Sequence, residues 1–108
     1  MKSIFLGILS LTIIVLFYSC SVNKDPQFRI RNEGSDKINV KVQSPEDVKM
    51  SINDIEPGQT TEYTTTSEGN ITATAVIQNE SISFPAAKNT RYTIIISPGK
   101  LPSVQTDK

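Results

Sequence analysis

Few residues of this sequence have side chains suited to catalysis or to metal binding. Cys20 is the only cysteine among the 108 residues, and the chain contains no histidine. Histidine is the most common general base and the usual partner of a nucleophilic serine or cysteine. A lone cysteine forms neither a zinc cluster nor a redox pair. We therefore expect no enzyme activity, no metal site and no cofactor, and Cys20 needs another explanation.

The residues before Cys20 have the pattern of a secretion signal. Lys2 provides a positive start, an apolar run follows over residues 4–18, and Ser19 is a small residue before the expected cut. A helix that spans a bilayer needs about 20 apolar residues. The run has only 15 positions, and some of them are Gly, Ser or Thr. Cleavage is therefore expected rather than a permanent membrane span.

The last five residues of this signal, Leu-Phe-Tyr-Ser-Cys at 16–20, resemble the lipobox of bacterial lipoproteins. In that family the cysteine thiol receives a diacylglyceryl group, the chain is cut before the cysteine, and the new amine is acylated. Ser19 and Cys20 match the family pattern, whereas the two aromatic residues depart from it. Ser21 follows the cysteine, and in enteric-type sorting a residue other than Asp there implies the outer membrane. The resemblance implies a protein of the bacterial cell envelope, anchored through lipid on Cys20 and bound to the membrane.

Beyond residue 26, apolar and polar residues alternate with a period of two, which is typical of half-buried β-strands. The segment 91–96 is apolar on both faces and predicts a central strand. The segment 60–65 is rich in Thr and predicts an edge strand. Pro57-Gly58 suits the central positions of a type II turn. The seven predicted strands lie at 28–31, 38–43, 48–53, 60–65, 71–78, 81–84 and 91–96.

This pattern predicts an all-β fold: a small antiparallel β-sandwich of about seven strands, preceded by a helical signal peptide. A small closed β-barrel is the alternative. The layout resembles immunoglobulin-like and transthyretin-like secreted modules in architecture, which implies no activity and no site residues. The expected domains are a signal peptide at 1–19, a lipid anchor and tether at 20–26, the β-sandwich at 27–97 and a flexible tail at 98–108.

The charge of the mature chain argues against nucleic acid as a partner. Loss of residues 1–19 removes Lys2 and leaves ten basic and eleven acidic residues among 89. No basic stripe is present, so the electrostatic footprint of a nucleic-acid-binding protein is absent from the sequence. The membrane, reached through the lipid, is one expected partner, and an unknown envelope protein or polysaccharide is the other.

Four side chains are candidates for a binding surface. Arg29 and Arg31 share one face of the first strand, and Lys41 of the next strand could lie beside them and meet an anionic partner or lipid headgroups. The alternative is that these cations keep the sheet soluble or pair with carboxylates such as Glu33. Tyr63 lies in the Thr-rich edge strand, which could accept a partner's strand or a polysaccharide. Thr is also ordinary strand sequence, which is the favoured interpretation.

The acidic residues support weaker alternatives. Asn53, Asp54 and Glu56 could offer oxygen ligands to calcium, although a solvated loop before the Pro-Gly turn is the favoured interpretation. A glycosidase that uses only carboxylates would need two of them about 5–10 Å apart across a cleft. The acidic residues available for that role are Asp54, Glu56, Glu62 and Glu68.

The leading functional hypothesis is a non-enzymatic binding or accessory module, lipid-anchored in the cell envelope. The first alternative is a small envelope inhibitor that blocks a hydrolase or a toxin by inserting a turn, such as residues 56–58 or 67–70. The carboxylate-only glycosidase is the second alternative, and a domain of this size has little room for its cleft.

Overall fold

The computed structural model describes residues 24–107, which form two β-sheets without a helix. The predicted signal peptide, the cut after Ser19 and the lipid attachment at Cys20 lie outside this part. Residues 24–107 contain no helix with the length and apolar character needed to cross a membrane. The strands are β1 (Gln27–Asn32), β2 (Ile38–Gln43), β3 (Lys49–Ile55), β4 (Thr64–Thr65), β5 (Gly69–Ala75), β6 (Glu80–Ala86), β7 (Arg91–Ile96) and β8 (Ser103–Thr106).

The eight strands divide equally between the two sheets. Sheet 1 has the order β4-β1-β7-β8, and sheet 2 has the order β3-β2-β5-β6. Strands β1 and β7 are parallel, and every other neighbouring pair is antiparallel. The two sheets remain separate within the described residues, so the predicted β-sandwich is confirmed and the barrel alternative does not apply.

The core lies between the sheets and is made by alternate residues of the longer strands. On β1, Phe28 and Ile30 are fully buried, whereas Arg29 between them is not. Burying one such apolar side chain contributes about 1.5–3 kcal/mol to folding. The alternation therefore determines which face of each sheet is turned towards the core. The fully buried members of the core include Phe28, Ile30, Val40, Val42, Ile71, Ile94 and Ile96.

Of two local predictions, the structure confirms one and contradicts the other. The Pro57-Gly58 turn is present: the N–H of Gln59 donates to the carbonyl oxygen of Glu56 over 2.9 Å, and Gly58 has the positive φ of 80° that a type II turn requires. The predicted strand at 71–78 was too long, because β5 ends at Ala75 and Ile77 lies in the following turn, 77% exposed.

The prediction of a flexible tail over 98–108 was wrong for its central part. Residues Ser103–Thr106 form β8, which pairs antiparallel with β7. Val104 of this strand is partly buried against the core, and Pro102 before it is buried. The strand forms because it covers the backbone groups along the open edge of β7.

The predicted tether also differs from the structure at its end. The N–H of Lys24 donates to Asn89 Oδ1 over 2.9 Å, and the N–H of Asn89 donates back to the Lys24 carbonyl oxygen over 2.8 Å. Asp25 forms a 2.9 Å ion pair with Lys88. Pro26 is buried. Residues 24–26 are therefore part of the sandwich, held against the loop between β6 and β7.

Candidate functional site

The outer face of sheet 1 carries a cluster of five side chains: Arg29, Tyr63, Arg91, Thr93 and Asp107, here called the arginine–tyrosine cluster. The Tyr63 ring packs against two cations, with the guanidinium carbon of Arg29 4.8 Å and that of Arg91 4.9 Å from the ring centre. Each such contact is worth about 0.5–1 kcal/mol at an exposed site. The cluster thus joins β1 and β7 to the segment that precedes β4.

Hydrogen bonds extend the cluster to the end of β8. Arg29 Nε donates to Thr93 Oγ1 over 2.9 Å, and Thr93 Oγ1 donates to Asp107 Oδ2 over 2.5 Å. The Tyr63 hydroxyl donates to the same Asp107 oxygen over 3.0 Å. Thr93 points away from the core between two inward residues, yet it is 0% exposed because these side chains cover it.

Asp107 is the charged centre of this network. Burial, which leaves its side chain 10% exposed, would by itself raise the pKa of the carboxyl group. Hydrogen bonds from Thr93, Gln105 and Tyr63 together with the nearby charge of Arg29 outweigh burial, and the pKa lies below its ordinary value. Asp107 is therefore ionised at neutral pH, and its charge is balanced within the cluster.

The sequence-predicted surface thus divides into three parts. Arg29 and Tyr63 do lie together, but their polar groups are engaged within the protein. Arg29 donates to Thr93, and Tyr63 donates to Asp107 at the end of the C-terminal strand β8. Arg31 forms a 3.7 Å ion pair with Glu33, the pairing that the sequence offered as an alternative. The grouping of Lys41 with the arginines was wrong, because β2 belongs to sheet 2 and Lys41 lies on the opposite outer face of the sandwich.

Lys41 instead borders a shallow groove on the outer face of sheet 2, here called the lysine groove. It has a volume of about 460 Å³ and crosses β3, β2 and β5. Cross-strand pairing sets its layout: Lys41 lies opposite Ser51 on β3, and Lys49 lies opposite Gln43. The buried Val42 and the half-buried Met50 contribute to its floor. The outward side chains that line it are Lys41, Gln43, Lys49, Ser51, Thr72 and Thr74.

Hydroxyl groups continue the polar surface beyond the groove onto β6. Thr72 Oγ1 and Ser83 Oγ share a hydrogen bond of 2.8 Å, and Thr74 Oγ1 and Ser81 Oγ share one of 2.7 Å. These pairs lie directly opposite each other in the β5–β6 ladder. The outer face of sheet 2 therefore presents hydroxyl and amide groups together with two lysines in and beside the lysine groove.

Comparison with known proteins shows a similarity of fold. No protein-family model matches it, and no curated protein matches it. Among solved structures it is similar to the N-terminal domain of AlgF from P. aeruginosa, with a TM-score of 0.59 and 23% sequence identity. The similarity covers 76% of this chain and 92% of that domain. The likeness is one of fold.

The acidic residues do not assemble into a metal centre in the described part. No group of three or more His, Cys, Asp or Glu residues there is arranged to hold a metal ion. Glu56 forms a 3.7 Å ion pair with Lys37. Asp54 lies at a bulge of β3, where its N–H bonds to Asn39 Oδ1 over 2.8 Å. No Asp or Glu lines the lysine groove.

Sequence reasoning missed Asp107, Lys49 and the hydroxyl pairs of β5 and β6. The period-two pattern does place Lys49 and Thr72 on the outer faces of their strands. It carries no information about which strands are neighbours, so it could not bring them beside Lys41. Asp107 follows a short strand with one apolar residue, which leaves no periodic signal.

Proposed function

We propose that this protein is a lipid-anchored module of the bacterial cell envelope that binds a partner without catalysing a reaction. The observation that carries the proposal is the position of Lys24. Only three residues separate it from Cys20, and Lys24 is already hydrogen-bonded to the sandwich at Asn89. At 3.8 Å between successive Cα atoms, the anchor cysteine is at most about 15 Å from this residue.

A lipid on Cys20 would therefore hold the sandwich close to the membrane by the end that carries the β6–β7 loop. One acyl chain binds a bilayer only marginally, whereas two or three together bind it almost permanently. The broad outer faces of both sheets would remain available for a partner. The absence of histidine from the chain and of a carboxylate from the lysine groove supports binding rather than catalysis.

Metabolic labelling with a palmitate analogue tests the anchor. We expect the natural chain to incorporate the label and to fractionate with membranes. Cys20→Ala removes the thiol and should abolish labelling. Ser21→Ala, the neighbouring control, should label normally because it leaves the thiol in place. Label retained by Cys20→Ala would refute the proposal.

An envelope inhibitor is the second candidate, and one observation favours it. The exposed turn around Pro57 is held rigidly, since the N–H of Gly58 donates to the Asn32 carbonyl oxygen over 2.8 Å. A rigid turn loses little conformational entropy when it binds a partner. This function predicts a one-to-one complex in pull-downs from envelope extract that Pro57→Arg disrupts; a complex unaffected by that change would argue against the turn.

A further inference from the structure

The two lysines of the groove are close enough to act on one ligand. Lys41 on β2 and Lys49 on β3 are diagonal neighbours in the antiparallel ladder, since Lys49 pairs with Gln43, two residues beyond Lys41. Diagonal neighbours are about 7–8 Å apart. Both side chains are exposed and their long stems are flexible, so their ammonium groups can converge on ligands along the groove.

Neither of these charges has an ion-pair partner in the described part of the chain. Among residues 24–107, neither Lys41 nor Lys49 has a carboxylate within 4.0 Å, whereas Lys37 and Lys88 each have one. One carboxylate does contact a groove residue. Asp47, at the β2–β3 turn, accepts a 2.6 Å hydrogen bond from Gln43 Nε2. The groove therefore offers two unneutralised positive charges to a ligand and favours an anion.

The rest of the groove selects among anionic partners. The exposed large apolar residues of the described chain are Val48, Val76, Ile77 and Leu101, and none lines the groove. A protein interface usually needs a buried aromatic or apolar anchor, and single-stranded nucleic acid needs aromatic rings for stacking. Membrane recognition by charge takes about four to eight basic residues. A ligand with many hydroxyl groups and spaced negative charges fits the groove better than any of these.

We propose that the lysine groove binds a carboxylated polysaccharide, an inference that rests on the proposed binding role and names its ligand class. The sugar carboxylates lie against Lys41 and Lys49. The sugar hydroxyls exchange hydrogen bonds with Thr72, Thr74 and Ser51, whose hydroxyl groups both donate and accept. A shallow groove that crosses three strands leaves both ends of the polymer free, which suits a chain rather than a compact small molecule.

Affinity electrophoresis of the full-length protein in neutral detergent tests the assignment. The gels contain sodium polygalacturonate as the carboxylated probe or dextran as the neutral one. We expect retardation by polygalacturonate alone, weakening as salt is added. The double variant Lys41→Gln, Lys49→Gln should raise the apparent Kd by about fivefold or more. Thr72→Val should raise it by about threefold through loss of one hydrogen bond.

Matched changes outside the groove serve as controls. Lys100→Gln removes one exposed charge and Thr106→Val removes one exposed hydroxyl, and both should bind as the natural chain does. Equal binding by the double lysine variant would overturn the groove assignment. So would retardation by dextran, or equally effective competition by glycerol phosphate, the anionic unit of a phospholipid headgroup.

Palmitate labelling of the same preparations separates this inference from the proposed function. If the protein incorporates palmitate but does not bind polygalacturonate, the groove assignment is refuted and the proposed lipid anchor is supported. If the protein does not incorporate palmitate but binds polygalacturonate through Lys41 and Lys49, the proposed lipid anchor is refuted and the groove assignment is supported. Thermal unfolding of each variant, expected to match that of the natural chain, excludes misfolding as the cause of lost binding.

Discussion

The hydroxyl of Tyr63 donates a 3.0 Å hydrogen bond to the carboxylate of Asp107, 44 positions further along the chain. Tyr63 precedes the short edge strand β4, and Asp107 follows β8 at the opposite edge of sheet 1. The contact therefore spans the whole outer face of that sheet above β1 and β7. It fastens the C-terminal strand, which otherwise pairs with β7 alone.

Loss of the Tyr63 hydroxyl should loosen this fastening. Tyr63→Phe keeps the contacts of the ring with the two guanidinium groups but removes a hydrogen bond to a charged acceptor, so we expect a loss of about 1–2 kcal/mol in the free energy of unfolding. Tyr63→Leu should cost more because the cation–π contacts are lost as well. Urea unfolding measures both, with the exposed neighbour change Glu62→Gln as the control. Equal stability of Phe and Leu variants would contradict the role of the ring.

The cluster should also make stability depend on pH. The pKa of Asp107 is lower in the folded chain than its ordinary value of 3.8, so the stabilisation is fully present above that value. It is lost as the pH falls through the folded pKa, because the unfolded chain then binds the proton more readily. The difference in unfolding free energy between the natural chain and Asp107→Asn should be constant from pH 7 to about 5 and shrink below about 4.

Other carboxylates titrate in the same range, so the comparison with Asp107→Asn is essential. They contribute equally to both proteins, and subtraction isolates Asp107. A difference that stays constant down to pH 2 would show that the folded and unfolded chains bind the Asp107 proton equally. Hydrogen exchange of the β8 amides, followed in parallel, should accelerate in the variant before that of β1.

The strands were largely predictable from sequence, and the exception has a physical reason. Strands β1 to β7 all overlap predicted segments, because each longer strand buries one face and repeats its apolar residues with a period of two. Strand β8 has four residues with Val104 as its one apolar side chain, so no period exists to detect. It is defined by the open edge of β7, which is a property of the assembled sheet.

The candidate site was less predictable, since it depends on strand order. Arg29 and Lys41 follow similar patterns in consecutive strands, and consecutive strands often pair. Here β1 and β2 lie in different sheets, so the two cations are on opposite outer faces. Lys49 is brought beside Lys41 by the β2–β3 hairpin, a local pairing that the turn at 44–48 could have suggested.

Asn32 is a buried polar residue whose replacement should be costly. Its Nδ2 donates to the carbonyl oxygens of Asp36 and Ile55 over 2.7 and 2.9 Å, and its Oδ1 accepts from the N–H of Gly34 over 2.9 Å. Asn32→Ala leaves these backbone groups unpaired, so we expect a loss of about 2–4 kcal/mol in unfolding free energy. Asn32→Asp should lower the unfolding free energy further at pH 7, because it places a negatively charged carboxylate beside two carbonyl oxygens.

The same change at an exposed position provides the control for Asn32. Asn70→Asp on the outer face of β5 should alter the unfolding free energy by less than about 0.5 kcal/mol. The Asn32→Asp penalty should also fall as the pH drops, since a protonated carboxyl can donate one hydrogen bond. A penalty independent of pH would argue against this geometry.

Two threonines near β4 allow a comparison of an unpaired and a paired hydroxyl group. The Thr66 hydroxyl is buried without a hydrogen-bond partner, whereas Thr61 Oγ1 accepts from the N–H of Ile30 over 3.0 Å. Valine has nearly the same shape as threonine. Thr66→Val removes an unpaired polar group and should stabilise the fold by about 1 kcal/mol, because the burial penalty of the hydroxyl disappears. Thr61→Val should destabilise it by about 1 kcal/mol, since the Ile30 N–H loses its acceptor. Thermal and urea unfolding of both variants measure these opposite changes in stability. A loss of stability in Thr66→Val would show that the Thr66 hydroxyl has a hydrogen-bond partner, such as a buried water.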